Sequence, residues 1–296
     1  MQSSEFQLSQ FIAGFWRLAD WQLSAQQHLA IIERYIELGV YSMDHADIYG
    51  GYQCEALFGR ALALQPSLRE SIQIISKCGI QLVTDKTPDT YLNHYNTSRQ
   101  HIINSAEASL QNLQTDHLDL LLIHRPDPLM NADEVASAFE TLHHQGKVHH
   151  FGVSNFSPQQ FDLLQSRMSQ KLICNQVEIS PTNMATLHDG TLDHCQQHNL
   201  APMAWSCLGG GNIFEANDPQ SLRLRAVLET IADEVNAENI SQVIYAWVLA
   251  LPSKPHPIIG SGNISRIESA VRSDQITLTR QQWFSIWQAS TGHGVP

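Results

Sequence analysis

Eight short apolar runs alternate with helical patterns along nearly the whole chain, and this alternation leaves few folds open. The runs cover residues 11–13, 41–44, 72–76, 118–123, 151–154, 173–178, 203–206 and 257–259. Most are nearly continuous in apolar character, as parallel strands covered on their outer face must be. Between them lie helices with legible ends. Ser24 with Gln27 makes a capping box, Leu29, Ile32 and Ile36 give one apolar face, and Gly39 ends the helix. Asn131 with Glu134 repeats the signature before Val135, Phe139 and Leu142, and Gly146 is the stop. Ser157-Pro158 opens another helix, with Pro where its missing N–H costs nothing. Ile102, Ile103, Ala106, Leu110 and Leu113 mark the helix before the fourth strand.

Such a series closes into a (β/α)8 TIM barrel or opens into a doubly wound sheet. The open sheet should carry a Gly-rich fingerprint after its first strand. Here that strand runs into Ala13-Gly14-Phe15-Trp16, with no G-x-G-x-x-G, so the barrel is expected. Barrels of roughly 250 residues fold as one unit, so residues 1–296 are read as a single domain. The hydrophobic share of 43% suits a sizeable core.

The formal charge of −12 disfavours nucleic acid and anionic membrane as partners, so any anionic ligand needs a local positive site. Cys54, Cys78, Cys174, Cys195 and Cys207 form no C-x-x-C pair and are odd in number, which fits reduced thiols in the cytoplasm. MQSSEFQLSQ has no basic segment followed by an apolar one, so no secretory signal is expected. No apolar run approaches the roughly 20 residues of a membrane span.

Four ionisable residues stand at or just after the ends of the apolar runs, where a parallel barrel builds its catalytic mouth. Asp44 closes VYSMD, Tyr49 follows five residues later, Lys77 closes SIQIISK and His124 closes HLDLLLIH. Taken singly, an Asp there also caps turns, and a Tyr or His also packs in cores. Together they form a proton-handling set. Asp44 can pair with Lys77, so neither charge is buried alone. The Lys77 ammonium near Tyr49 is expected to favour the phenolate and lower its pKa from about 10. Tyr49 then serves as a general acid toward an oxygen that His124 holds in place.

These segments resemble the aldo-keto reductase superfamily, in particular its bacterial cytoplasmic NADPH-dependent oxidoreductases. The similarity rests on MDHADIYGGYQCEALFG, on IISKC, on LDLLLIHRPDP and on GVSNF at 152–156, and it runs from Gly14-Phe15-Trp16 to about Ala270. The resemblance implies the barrel fold, and NADPH bound at the barrel mouth without a Rossmann domain. It implies a catalytic tetrad of Asp44, Tyr49, Lys77 and His124. Ser154, Asn155 and Gln176 would meet the nicotinamide carboxamide, and Trp205, where many relatives carry Tyr, would stack on the ring. Backbone at Gly14, Phe15 and Trp16 would border the nicotinamide and substrate. Ser206, Cys207, Leu208, Gly209 and Gly210 would also bind the cofactor, the loop 207–219 folding over the pyrophosphate with the backbone of Leu208 to Asn212 nearest; Cys207 stands where relatives commonly carry Pro. Chemically, Ser, Asn and Gln supply the donors and acceptors an amide needs, and an indole supplies an aromatic face.

After the last run comes IIGSGNISRIESAV. Gly260 and Gly262 let backbone N–H groups approach a ligand, Ser261 and Asn263 can donate, and a helix N-terminus favours an anion. Arg266 in its first turn is placed to grip a phosphate. Many relatives carry Lys where Gly260 stands, one charge more. The stretch 207–219, LGGGNIFEANDP included, reads as the longest irregular segment. His143-His144, His149-His150 and the group Asp44, His45 and Asp47 show no H-x-x-x-H spacing with a positioned Glu, so no metal is expected. His45 is expected to border the site.

The expected activity is reduction of a small-molecule aldehyde or ketone by hydride from NADPH, leaving NADP+. Two other classes fit parts of the pattern. A nicotinamide-sensing regulatory subunit would turn over slowly, and a metal-dependent hydrolase would be sensitive to chelators.

Overall fold

A computed structural model describes residues 6–296, so the reading of the N-terminal segment as carrying no signal falls partly, at residues 1–5, outside the described residues. All eight apolar runs form strands: β1 (Ile12–Gly14), β2 (Ser42–Asp44), β3 (Gln73–Cys78), β6 (Leu118–Ile123), β7 (Val148–Ser154), β8 (Leu172–Glu178), β9 (Met203–Trp205) and β10 (His256–Ile259). They form a closed barrel in the order β1-β10-β9-β8-β7-β6-β3-β2. A two-stranded antiparallel hairpin, β4 (Ile80–Gln81) with β5 (His94–Tyr95), follows the third barrel strand. Sequence did not signal it, because these two-residue strands show no run of alternating apolar residues.

Packing groups the chain into two compact units, one running to Gln176 and including Gly260–Gly262, the other made of Val177–Ile259 and Asn263 onward. In the first, Ile12, Met43, Ile74, Ile75 and Leu120 to Ile123 are fully buried, as continuous apolar strands covered on both faces should be. Parallel register levels the strand ends: Gly14 pairs with Asp44, Lys77 with Leu122, and Ser154 with Gln176. Gly152 is needed for this. A Cβ there would stand 2.7 Å from Leu122 Cδ2 and 2.8 Å from the Cys174 carbonyl, so no side chain fits between β6 and β8.

The capping signals mostly act as expected. Ser24 Oγ accepts from the Gln27 N–H and Gln27 Oε1 accepts from the Ser24 N–H, opening the helix Ala25–Glu37. That helix buries Leu29, Ile31, Ile32 and Tyr35, with Ile36 only half-buried; each fully buried aliphatic contributes about 1.5–3 kcal/mol. Ser157 and Gln160 form the same box before the helix Pro158–Gln165. At Asn131 the expected box does not form. Its side chain accepts from the Asp133 N–H, while Glu134 Oε2 accepts from the Arg99 N–H on a neighbouring helix.

In the second unit the helices Ile240–Leu249 and Arg280–Thr291 are joined by two tryptophans. Trp247 and Trp283 stack at 4.9 Å, and each indole N–H donates to the other's backbone carbonyl. The stretch 207–219 is not irregular. It holds a tight turn at Gly209–Gly211 and a short helix, Asn212–Glu215, before Asp218 caps the helix Pro219–Glu234. Three consecutive glycines, all at positive φ, hid that winding from a pattern reading.

Candidate active site

Lys77 is the exception in an apolar strand: it lies in β3, next to last, and is fully buried. Its ammonium donates to Asp44 Oδ2 at 2.8 Å, to the His45 carbonyl at 2.7 Å and to the Tyr49 hydroxyl at 2.9 Å. Three N–H groups meet three acceptors, so the buried charge is fully bonded. The other carboxylate oxygen of Asp44 accepts from Gln176 Nε2 at 2.9 Å. Asp44 ends β2 and its carbonyl accepts from the Phe15 N–H, which ties the loop after β1 to the site. Tyr49 begins the short helical turn Tyr49–Tyr52.

The expected shift of Tyr49 is corrected here. Burial dominates and raises its pKa above the ordinary value; Lys77 pulls the other way without winning. Tyr49 therefore rests as a phenol. Burial also works against the charge on Lys77, but Asp44 and Tyr49 outweigh it and its pKa is raised. The ammonium stays charged.

His124 follows β6, and its backbone N–H donates to the Cys78 carbonyl. Its ring stands edge-on to Tyr49, centroids 5.8 Å apart. Burial, then the charges of Lys77 and Arg125, hold its pKa well below the ordinary value, so the imidazole is neutral. The sequence reading assigned no role to Arg125, although it directly follows His124 in the same motif.

The structure joins three more expected residues to this group. Ser154 Oγ donates to the Gln176 carbonyl at 2.9 Å, Asn155 Nδ2 donates to Ser154 Oγ at 2.7 Å, and the Asn155 N–H donates to the Gln176 carbonyl. Asn155 has φ of 60°, a left-handed conformation that Asn tolerates better than most residues. His45 borders the site, as expected. Its carbonyl serves Lys77, while its buried ring stacks on Phe15 at 4.8 Å and meets Phe58 edge-on. Burial first, and then Lys77, lower its pKa to about 3.

Two further buried carboxyls flank Lys77: Glu55, which the sequence reading did not consider, and Asp47, which it weighed only as a metal ligand. Glu55 Oε1 accepts from Ser76 Oγ at 2.6 Å, next to Lys77 in the chain, and the Asp47 N–H donates to the Lys77 carbonyl. Burial raises the pKa of both, and for Asp47 the nearby Glu55 adds to it. The signal was present, since both lie in the motif that carries Asp44 and Tyr49.

Of the loop bordering β1, Phe15 is buried and Trp16 is exposed. At 260–262, the Ser261 carbonyl accepts from the Tyr35 hydroxyl, and Gly262 lies against the Trp21 ring, where a Cβ would come within 2.6 Å. In the second unit, Trp205 ends β9 and Ser206 has φ of 52°. Cys207 is buried, its thiol donating to the Ala204 carbonyl, and burial pushes its pKa up to about 12. Leu208 precedes the Gly209–Gly211 turn. Asn263 caps the helix Ile264–Val271 by accepting from the Arg266 N–H, so its carbonyl oxygen is used within the chain. Arg266 is exposed in the first turn.

Comparisons with known proteins agree on the family and the fold. A family model described as the aldo/keto reductase family matches residues 10–290. Oxidoreductase YdhF of Escherichia coli is 59% identical over 100% of this chain and 97% of its own. A 6-dehydroglucose reductase of Agrobacterium fabrum is 41% identical over 99% of this chain and 98% of its own. A crystal structure of the thermostable aldo-keto reductase Tm1743, in complex with the inhibitor epalrestat, superposes with a TM-score of 0.80 at 25% identity, covering 97% of each chain. With a closed parallel barrel, the bonded Asp44-Lys77-Tyr49 group and a family match over residues 10–290, the chain belongs to the aldo/keto reductase family.

Proposed function

We propose that this protein reduces a small aldehyde or ketone to an alcohol using NADPH, with Tyr49 as the proton donor. The observation that carries the reading is the buried Lys77 ammonium bonded at once to Asp44, Tyr49 and the His45 carbonyl. A bound reduced nicotinamide supplies hydride to the carbonyl carbon. Tyr49 gives its proton to the carbonyl oxygen, and Lys77 stabilises the phenolate that remains until solvent reprotonates it. Asp44 holds Lys77 in place. His124, a neutral imidazole, offers an N–H to the same oxygen and orients it.

The residues present suit a nicotinamide nucleotide. Ser154, Asn155 and Gln176 bring a hydroxyl and two amides to the ends of β7 and β8, matching a carboxamide. Trp205 offers an indole face for the ring. The backbone of Gly14, Phe15 and Trp16 and that from Ser206 to Gly210 are assigned to the nicotinamide side and the pyrophosphate. Gly260, Ser261, Gly262, Asn263 and Arg266 are assigned to the adenosine phosphate, Arg266 by charge. We read residues 1–296 as one domain, in keeping with a family match over 10–290. The odd number of cysteines and the lack of a C-x-x-C pair support a cytoplasmic setting. Among the described residues, no helix is long and apolar enough to cross a membrane.

The name of the Agrobacterium relative points to carbonyl sugars as the substrate class, 6-dehydroglucose first among them. The test is a panel of carbonyl sugars, simple aldehydes, ketones and diketones, followed by NADPH absorbance. Wild type should turn over at least one of them. Tyr49→Phe keeps the ring and should lower turnover at least about 10²-fold while cofactor binding survives. Undiminished turnover in that variant would remove Tyr49 from the mechanism. Slow turnover with every substrate would favour a sensing role.

A further inference from the structure

A second cluster of chemistry-bearing side chains lies at the opposite ends of the strands. His117 immediately precedes β6, Asp119 is its second residue, and His149 is the second residue of β7. Leu118 pairs with Val148 and both are buried, so strand alternation turns His117, Asp119 and His149 to the other face. One potential ligand atom from each lies within 4.8 Å of the others. We propose that His117, Asp119 and His149 form a binding site for one divalent transition-metal ion of the zinc class.

The hydrogen bonds around the cluster prepare it for a cation. Asp116 Oδ1 accepts from His117 Nδ1 at 2.6 Å, which leaves the lone pair of the neutral ring on Nε2. That nitrogen stands 3.9 Å from Asp119 Oδ1. The other oxygen, Oδ2, is fixed by Arg69 Nη2 and by the Ile74 N–H, both at 2.8 Å. A carboxylate on the far nitrogen of a histidine and hydrogen bonds that lock a ligating carboxylate are what metal sites use to orient their ligands. His149 completes the set, its ring stacked on His117 with centroids 4.4 Å apart.

Arg69 opposes a cation here, but Asp116 and Asp119 bring two negative charges against its one. The neighbouring histidines are engaged elsewhere: His143 Nδ1 lies 3.3 Å from the Val148 carbonyl, and His150 packs on Phe6. A tetrahedral ion with bonds of about 2.1 Å holds its ligand atoms roughly 3.3 Å apart, so binding must draw the cluster together. His149, the exposed member, is the one able to move. Two imidazoles and one carboxylate leave a position for water.

The ion would tie the start of β6 to the start of β7. It would take no part in carbonyl reduction, because His117 and His124 flank β6 on opposite ends, roughly 23 Å apart at about 3.3 Å per residue. The sequence test for H-x-x-x-H spacing could not find it, since the ligands come from two strands.

The experiment titrates zinc chloride into chelator-treated protein by calorimetry, in a buffer that does not bind zinc, and records Tm with and without zinc. One ion per chain and a Tm rise of several degrees are expected. His117→Ala, His149→Ala and Asp116→Asn should each weaken zinc at least ~10-fold. Zinc-free His149→Ala should keep the wild-type Tm and carbonyl turnover. Zinc bound with unchanged affinity by both alanine variants would place the ion elsewhere and overturn the proposal. So would wild-type protein that binds no zinc at millimolar concentration.

Discussion

Lys77→Met tests the coupling at the centre of the site. The thioether nearly fills the volume of the lysine but removes the ammonium that lies 2.8 Å from Asp44 and 2.9 Å from the Tyr49 hydroxyl. At an effective dielectric of about 20, a unit charge 2.9 Å from a full phenolate is worth about 6 kcal/mol. If Tyr49 is half deprotonated in the transition state, about 3 kcal/mol of its stabilisation disappears, or roughly 10²-fold in rate. The fold also suffers. Asp44 keeps only Gln176, and the His45 carbonyl loses the ammonium, so stability should fall by about 3–5 kcal/mol, as when a buried pair loses one partner. Since Lys77 is the main influence lowering the Tyr49 pKa, its loss lets that pKa climb further. The alkaline fall of kcat, where Tyr49 loses its proton, should therefore move to higher pH. The assay is kcat against pH, with NADPH titration by protein fluorescence to show that the variant is folded. A folded, NADPH-binding Lys77→Met with the wild-type rate and the wild-type alkaline limb would refute the Asp-Lys-Tyr mechanism.

Arg266→Ala should weaken NADPH by about 1.5–3 kcal/mol, the range for a hydrogen bond to a charged group, and NADH much less; equal losses in a fluorescence titration would assign Arg266 elsewhere. His45→Phe should keep the stacking on Phe15 and remove a titration. The wild-type ring has a pKa lowered from 6.5 to about 3, so the folded state resists a proton that the unfolded chain accepts. Wild type therefore holds its full stability above about pH 6.5 and loses about 1.4 kcal/mol per unit below it relative to the variant, and a pH-independent Tm difference would contradict this. Reduction should be flat through neutral pH, whereas alcohol oxidation, which needs the Tyr49 phenolate, should rise toward alkaline pH; parallel profiles in the two directions would count against Tyr49.

How much was legible follows from what each signal depends on. The barrel strands could be read because burial on both faces demands apolar side chains at nearly every position. Lys77 stood out for that reason, and its partners Asp44 and Tyr49 lie together in another motif, five residues apart. The hairpin at Ile80–Gln81 and His94–Tyr95 could not be read, because two-residue strands show no period. The bond from Gln176 to Asp44 spans 132 positions and depends on the register of β7 against β8. Glu134 was diverted from its expected cap by Arg99 on another helix, which local spacing cannot foresee.

The sign of the Tyr49 shift is the most instructive miss, because the sequence named both opposing influences and could weigh neither. A lysine next to a tyrosine argues for an acidic phenol only if solvent or further cations share the cost of the phenolate. Here the lysine is already committed to Asp44 and the His45 carbonyl, and the desolvation of the phenol prevails. The consequence suits reduction. A proton donor must hold its proton until the hydride arrives, and a phenol raised above its ordinary value does so throughout the neutral range. Lys77 then acts where it matters, on the charge that appears as the proton leaves, rather than on the resting state. A neutral His124 is consistent with the same logic, since a second cation at the carbonyl oxygen would draw the phenolate out early.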